Sequence, residues 1–129
     1  MDYLVTFSVG RNELYVCRFV IKNAQSEKQA FEIAFQKYLN QNPEKHSYYA
    51  LDSYWMTAGS DSSHLNYCVA RISSDGSAEE VSSRELRKNP DLFAWAEQTI
   101  REHGIDVERI KTKSEKNRQA AISWSWDRP

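Results

Sequence analysis

Tyr3-Leu4-Val5-Thr6-Phe7-Ser8-Val9-Gly10-Arg11-Asn12-Glu13-Leu14-Tyr15-Val16-Cys17-Arg18-Phe19-Val20-Ile21 is the stretch on which the fold turns. Tyr3, Val5, Phe7 and Val9 alternate with Leu4, Thr6 and Ser8, the two-residue period of a half-buried strand. Gly10-Arg11-Asn12 breaks the run, and Tyr15, Cys17, Phe19 and Ile21 then resume it on one face, so the stretch predicts a β-hairpin. Leu14, Val16 and Val20 make the opposite face of the second strand apolar too, which predicts an inner strand covered on both sides.

Such a surface needs helices. Ser26-Glu27-Lys28-Gln29 has the spacing of a capping box, the Ser hydroxyl accepting from the Gln29 amide and the Gln side chain returning toward the Ser26 amide. Phe31, Ala34, Phe35 and Tyr38 follow at i, i+3, i+4 and i+7, one apolar stripe facing the hairpin. The Asn40-Gln41-Asn42-Pro43 cluster ends this helix, predicted over 27–40.

From Ser47 to Ala58 the chain is rich in strand formers, and Leu65 to Ile72 follows after the polar Gly59 to His64 loop, predicting a second hairpin. Asp75-Gly76 marks a turn into a short return strand, Ala78 to Val81, before Ser82 or Ser83 opens a helical turn. Asn89-Pro90 places a capping residue before a proline at the first helical position, Leu92, Ala96, Thr99, Ile100 and His103 trace a stripe, and Gly104 supplies a left-handed cap. Beyond it Ile105 and Val107 read as a short strand and 109–119 as a polar basic connector. Ile122, Trp124 and Trp126 alternate with serines as a C-terminal strand in 120–129, docked on the edge of its own sheet or exchanged with a second copy in a swapped homodimer. The expectation is one α+β domain over 1–129, order ββαββ(β)αβ(β), with two helices on a mainly antiparallel sheet of about five to six strands.

The length of 129 residues suits one core, and 40% hydrophobic with 27% charged residues is ordinary globular usage that disfavours disorder, collagen and coiled coil. A formal charge of −1 lacks the basic excess of general nucleic-acid or anionic-membrane binders. The first residues lack a basic n-region, and the longest apolar stretch, Leu14 to Ile21, is interrupted by Arg18, so neither a signal peptide nor a membrane span is expected. Cys17 and Cys68 sit in strand-like runs, as reduced, buried residues of a cytoplasmic chain do.

Motifs for chemistry are sparse. The chain lacks G-x-x-x-x-G-K-[ST] and G-x-G-x-x-G and has four glycines in all, which leaves little backbone to cradle a pyrophosphate. It lacks H-E-x-x-H and C-x-x-C, and His46, His64 and His103 fall in three separate segments. His64-x-x-x-Cys68 would separate two ligands by about 13 Å on a strand, too far for one ion. Without a nucleophile elbow no serine is singled out as a nucleophile, and Glu79, Glu80 and Glu85 read as solvated charge. No catalytic residue, metal or cofactor is expected, and the chain is read as non-enzymatic.

Two features remain. Tyr48, Tyr49, Tyr54, Trp55 and Tyr67 gather in one predicted hairpin, a concentration of rigid rings with polar tips suited to a partner surface or to the core. The segment from Asp75 to Glu108 carries nine acids and four bases, whereas 109–118 holds Arg109, Lys111, Lys113, Lys116 and Arg118 against Glu115 alone. That basic stretch could meet a phosphate backbone or neutralise the acidic helix of its own chain. The leading expectation is a small accessory or inhibitory protein that binds another protein through its aromatic surface. The alternatives are a single-stranded nucleic-acid binder using the basic segment with nearby aromatics, and a small enzyme with a nonstandard site.

Overall fold

The computed structural model describes residues 1–10, 15–52 and 64–127. Its elements run β1 (Asp2–Val9), β2 (Tyr15–Ile21), α1 (Glu27–Gln41), α2 (Pro43–Leu51), β3 (Leu65–Ile72), β4 (Ala78–Glu85), a 3₁₀ turn (Leu86–Lys88), α3 (Pro90–Glu102) and α4 (Val107–Asp127). The fold is α+β, and the four strands form one antiparallel sheet in the order β2-β1-β3-β4.

The N-terminal hairpin forms as its alternation predicts, with Tyr3 opposite Ile21 and Phe7 opposite Cys17. The strand with a ladder on both sides is β1, however, and β2 lies at the edge with Val20 56% exposed. Apolar residues on both faces of β2 therefore do not mark an inner strand. The sheet residues of the core, Tyr3, Val5, Phe7, Val9, Ile21, Leu65, Tyr67 and Val69, share the face on which the helices pack. Thr6, Ser8, Asn66 and Cys68 lie on the other, open face.

The stripe of α1 fills the core as its spacing predicts. The Phe7 ring meets Phe31, Phe35 and Tyr38 with centroids 5.8, 6.1 and 4.9 Å away. Ser26 Oγ accepts from the Gln29 amide at 3.1 Å, but the Gln29 side chain accepts from the Gln25 amide, one residue earlier than the capping box predicts. α3 begins and ends as read: Asn89 Oδ1 accepts from the Leu92 amide at 3.3 Å, and Gly104 takes φ +81°. The Asp75-Gly76 turn also forms, with Gly76 at φ +87° and the Asp75 carboxylate accepting from the Ser77 amide and hydroxyl.

Three further expectations are overturned. Residues 43–51 form a helix rather than the first strand of a second hairpin. Asn42 Oδ1 accepts from the Lys45 amide and Pro43 occupies the first turn, so the cluster that ends α1 also starts α2. The buried residues His46, Ser47, Ala50 and Leu51 recur at helical spacing and outweigh the strand preference of Tyr48 and Tyr49. The rest of that predicted strand, from Ser53 on, lies outside the described residues.

Next, 107–127 is one helix, where a short strand, a connector and a C-terminal strand were expected. Asp106 Oδ1 accepts from the Arg109 amide at 3.1 Å, and Val107, Ile110 and Ser114 bury one face at i, i+3 and i+7. With these residues helical, neither a C-terminal strand completing the sheet nor a homodimer swapped through it has the element it needs. Finally, β4 extends through Ser82 and Ser83 to Glu85 in place of a helical turn, and the register slips between Val69 and Ala70, leaving Val81 as an extra residue. The described residues thus hold four strands and four helices instead of five or six strands and two helices.

Candidate functional site

Both misread segments meet at one place. α2 and α4 border a groove of about 500 Å³ lined by Asn42, Glu44, Lys45, Tyr48 and Tyr49 on one side and Ile105, Arg109, Ile110 and Lys113 on the other. Tyr48 and Tyr49 are half-buried and set edge to face, with centroids 6.0 Å apart at 67°. Lys113 Nζ stands 5.3 Å from the Tyr48 centroid and Lys45 Nζ stands 5.9 Å from that of Tyr49. Arg109 reaches Glu44 at 3.5 Å, both side chains well exposed.

The geometry explains why these groups share a wall. Burying Val107, Ile110 and Ser114 turns the positions 109, 113 and 116 outward at i, i+4 and i+7, so Arg109, Lys113 and Lys116 form one cationic stripe. On α2, burial of His46, Ser47 and Ala50 turns Lys45, Tyr48 and Tyr49 toward the groove. Three cations against Glu44 give the groove a positive balance although the chain as a whole is negative. An exposed ion pair such as Arg109–Glu44 contributes about 0–1 kcal/mol, and an exposed cation–π contact such as Lys113–Tyr48 about 0.5–1 kcal/mol. Both contacts are weak enough to be exchanged for others.

The other predicted residues go elsewhere. Tyr67 is 5% exposed in the core, its ring 5.1 Å from that of Phe31 and its hydroxyl accepting from Asn89 Nδ2 at 3.0 Å, so it offers no ring to a partner. Tyr54 and Trp55 lie outside the described residues. Lys111 turns away from the groove and pairs with Glu97 of α3, neutralising the acidic helix of its own chain. Lys116 is exposed on the cationic stripe, and Arg118 belongs to α4 with its side chain outside the described residues. Sequence reasoning missed Asn42, Glu44, Lys45, Ile105 and Ile110 as lining residues. The available signal was Asn42-Pro43, the same cap-and-proline pair that marks α3 at Asn89-Pro90.

A second concavity of about 390 Å³ lies on the open sheet face, lined by residues that include Thr6, Ser8, Asn66, Cys68, Glu80, Ser83 and Glu85. Beside it the buried His64 contacts Glu85 at 3.1 Å, and the same carboxylate holds Arg87 and Lys88 at 3.1 and 3.3 Å. Despite the cost of burial, the Arg87 bond and the adjacent His64 keep the Glu85 carboxyl below its ordinary range. Burial pushes the Cys68 thiol up and Glu80 adds to it, while burial raises Cys17, whose thiol donates to Gln41 Oε1 at 3.3 Å. His46, 1% exposed and stacked on Tyr38 at 3.8 Å, is pushed down to about 4 by burial and then by Lys45. His103 sits apart, its ring nitrogens 3.0 Å from the Thr99 carbonyl and 3.2 Å from Asn40 Oδ1.

Among the described residues no group of three or more His, Cys, Asp or Glu side chains could hold a metal ion, and no helix is long and apolar enough to cross a membrane. No protein-family model matches the chain, and no curated protein or solved structure matches it.

Proposed function

We propose that the chain is a non-enzymatic protein-interaction module, an accessory or inhibitory protein that seats an acidic segment of another protein in the α2–α4 groove. The observation that carries this reading is the meeting of two features about sixty residues apart in sequence: the Tyr48–Tyr49 pair and the Arg109–Lys113 stripe form opposite walls of one groove. Tyrosine and arginine are the residue types that anchor protein interfaces. The half-buried tyrosines add rigid apolar area, and the cations beside them select for carboxylates. The two free cysteines suit a reducing, cytoplasmic setting.

Single-stranded nucleic acid is the second reading, supported by the spacing of Arg109, Lys113 and Lys116 along one helix face. Against it stand the overall charge of −1, the pairing of Lys111 with Glu97, and the half-burial of Tyr48 and Tyr49, which leaves less ring face for a base. A titration of isotope-labelled protein with a glutamate-rich peptide and, separately, with oligothymidine tests the assignment. The expected result is amide shifts at Lys45, Tyr48, Tyr49, Arg109 and Lys113 with the peptide, removed by K113E. Tighter binding of the oligonucleotide at the same residues, with a steep salt dependence, would favour the nucleic-acid reading.

A further inference from the structure

The two edges of the sheet are built differently. β4 carries Glu79, Glu80, Arg84 and Glu85 and is bent by the extra residue at Val81, devices that discourage a further strand from pairing there. β2 has a single charge, Arg18, in seven residues, and contains no proline. Its ladder with β1 runs unbroken from Tyr15 to Ile21, and Val20 is 56% exposed. Among the described residues β2 has no neighbour on its outer side. An unbroken, nearly uncharged edge strand presents a row of unpaired N–H and C=O groups as a template for pairing.

We propose that β2 pairs antiparallel with β2 of a second copy of this chain, centred on Phe19, to make one continuous eight-stranded sheet. A closed dimer through identical edges needs a two-fold axis perpendicular to the sheet, which sets residues of the same face opposite one another. Three central positions use most of the strand. Centring on Arg18 sets Arg18 against the partner's Arg18, and centring on Val20 sets Arg18 against the partner's Lys22. Centring on Phe19 places Arg18 against the partner's Val20 and Lys22 against the partner's Val16, so each charge meets an aliphatic side chain. Pairing β2 with β4 of another copy would leave a free edge at each end and propagate without closure, and the extra residue at Val81 works against it. The inference rests on β2 alone and is independent of the groove.

Sedimentation equilibrium of the full chain over the micromolar range tests it, with V20K and V20E compared after far-ultraviolet circular dichroism shows both folded. The wild type is expected to be a dimer. In the Phe19-centred register V20K creates two like-charged pairs with Arg18 across the axis and V20E creates two opposite pairs, so V20K should weaken the dimer about tenfold and V20E should tighten it. A monomer at every concentration would overturn the proposal, as would V20K and V20E shifting the dissociation constant in the same direction.

Discussion

Replacing Phe35 by Ala should bring this fold close to its limit. The Phe35 side chain is fully buried on α1, with ring centroids 5.8 Å from Phe31, 6.1 Å from Phe7 and 5.7 Å from Trp95. It therefore joins the sheet to α1 and α1 to α3. A buried phenylalanine withdraws about 150–250 Å² from water, worth about 4–6 kcal/mol at about 25 cal/mol per Å². Alanine keeps a small part of that, and the cavity it leaves collapses only partly, so the loss should be about 4 kcal/mol. Against a typical stability of about 5–15 kcal/mol, this is a large share. Urea unfolding followed by Trp fluorescence would read it: with a slope near 2 kcal/mol per molar, the midpoint should fall by about 2 M. A shift below about 0.5 M at unchanged slope would mean that Phe35 is not the joint between the layers.

His46 gives a pH prediction. Burial, and then Lys45, push its folded midpoint down to about 4 from an unfolded value of 6.5, so the fold favours the neutral ring. The unfolded chain therefore binds the extra proton in between: the contribution is fully present above pH 6.5 and is lost as pH falls toward 4, at no more than about 1.4 kcal/mol per pH unit. A ring-proton titration by NMR should show a midpoint close to 4 for His46, and one above 6 would refute its burial. Asn89→Ala should cost about 1–2 kcal/mol, because Asn89 both caps α3 and donates to the Tyr67 hydroxyl, while Tyr67→Phe should cost about 1 kcal/mol; an Asn89→Ala variant with unchanged unfolding midpoint would contradict the capping geometry. Lys111→Ala should leave binding of an acidic peptide unchanged and loosen α4 from α3, whereas Lys113→Ala, which removes the same charge, should weaken binding; equal losses in calorimetric titration would show that the stripe acts only through net charge.

The sequence was legible where one periodicity ruled a segment. β1 sets Tyr3, Val5, Phe7 and Val9 at alternate positions, α1 and α3 carry both a cap and an apolar stripe, and all three form where expected. It misled where two signals competed. Tyr48 and Tyr49 have strand preference, but Asn42-Pro43 caps a helix whose other face is buried, and packing outweighs preference. Ile122, Trp124 and Trp126 alternate like a strand, yet they continue a helix already committed at Asp106 and Val107. The edge position of β2 depends on which strand adds to the hairpin, and local pattern does not encode that choice. The groove was hidden for the same reasons: its two walls were recognised separately as aromatic and basic segments, but their meeting requires both to be helices.

The most direct test of the groove as the working surface is photocrosslinking in the source cell, with a benzophenone amino acid placed at Tyr49 in the full chain and, as a comparison, at Ser83 on the open sheet face. An adduct to a protein that forms from Tyr49, survives nuclease and disappears with R109E/K113E is the predicted result. A nuclease-sensitive adduct from Tyr49, or a protein adduct that forms from Ser83 and not from Tyr49, would contradict it.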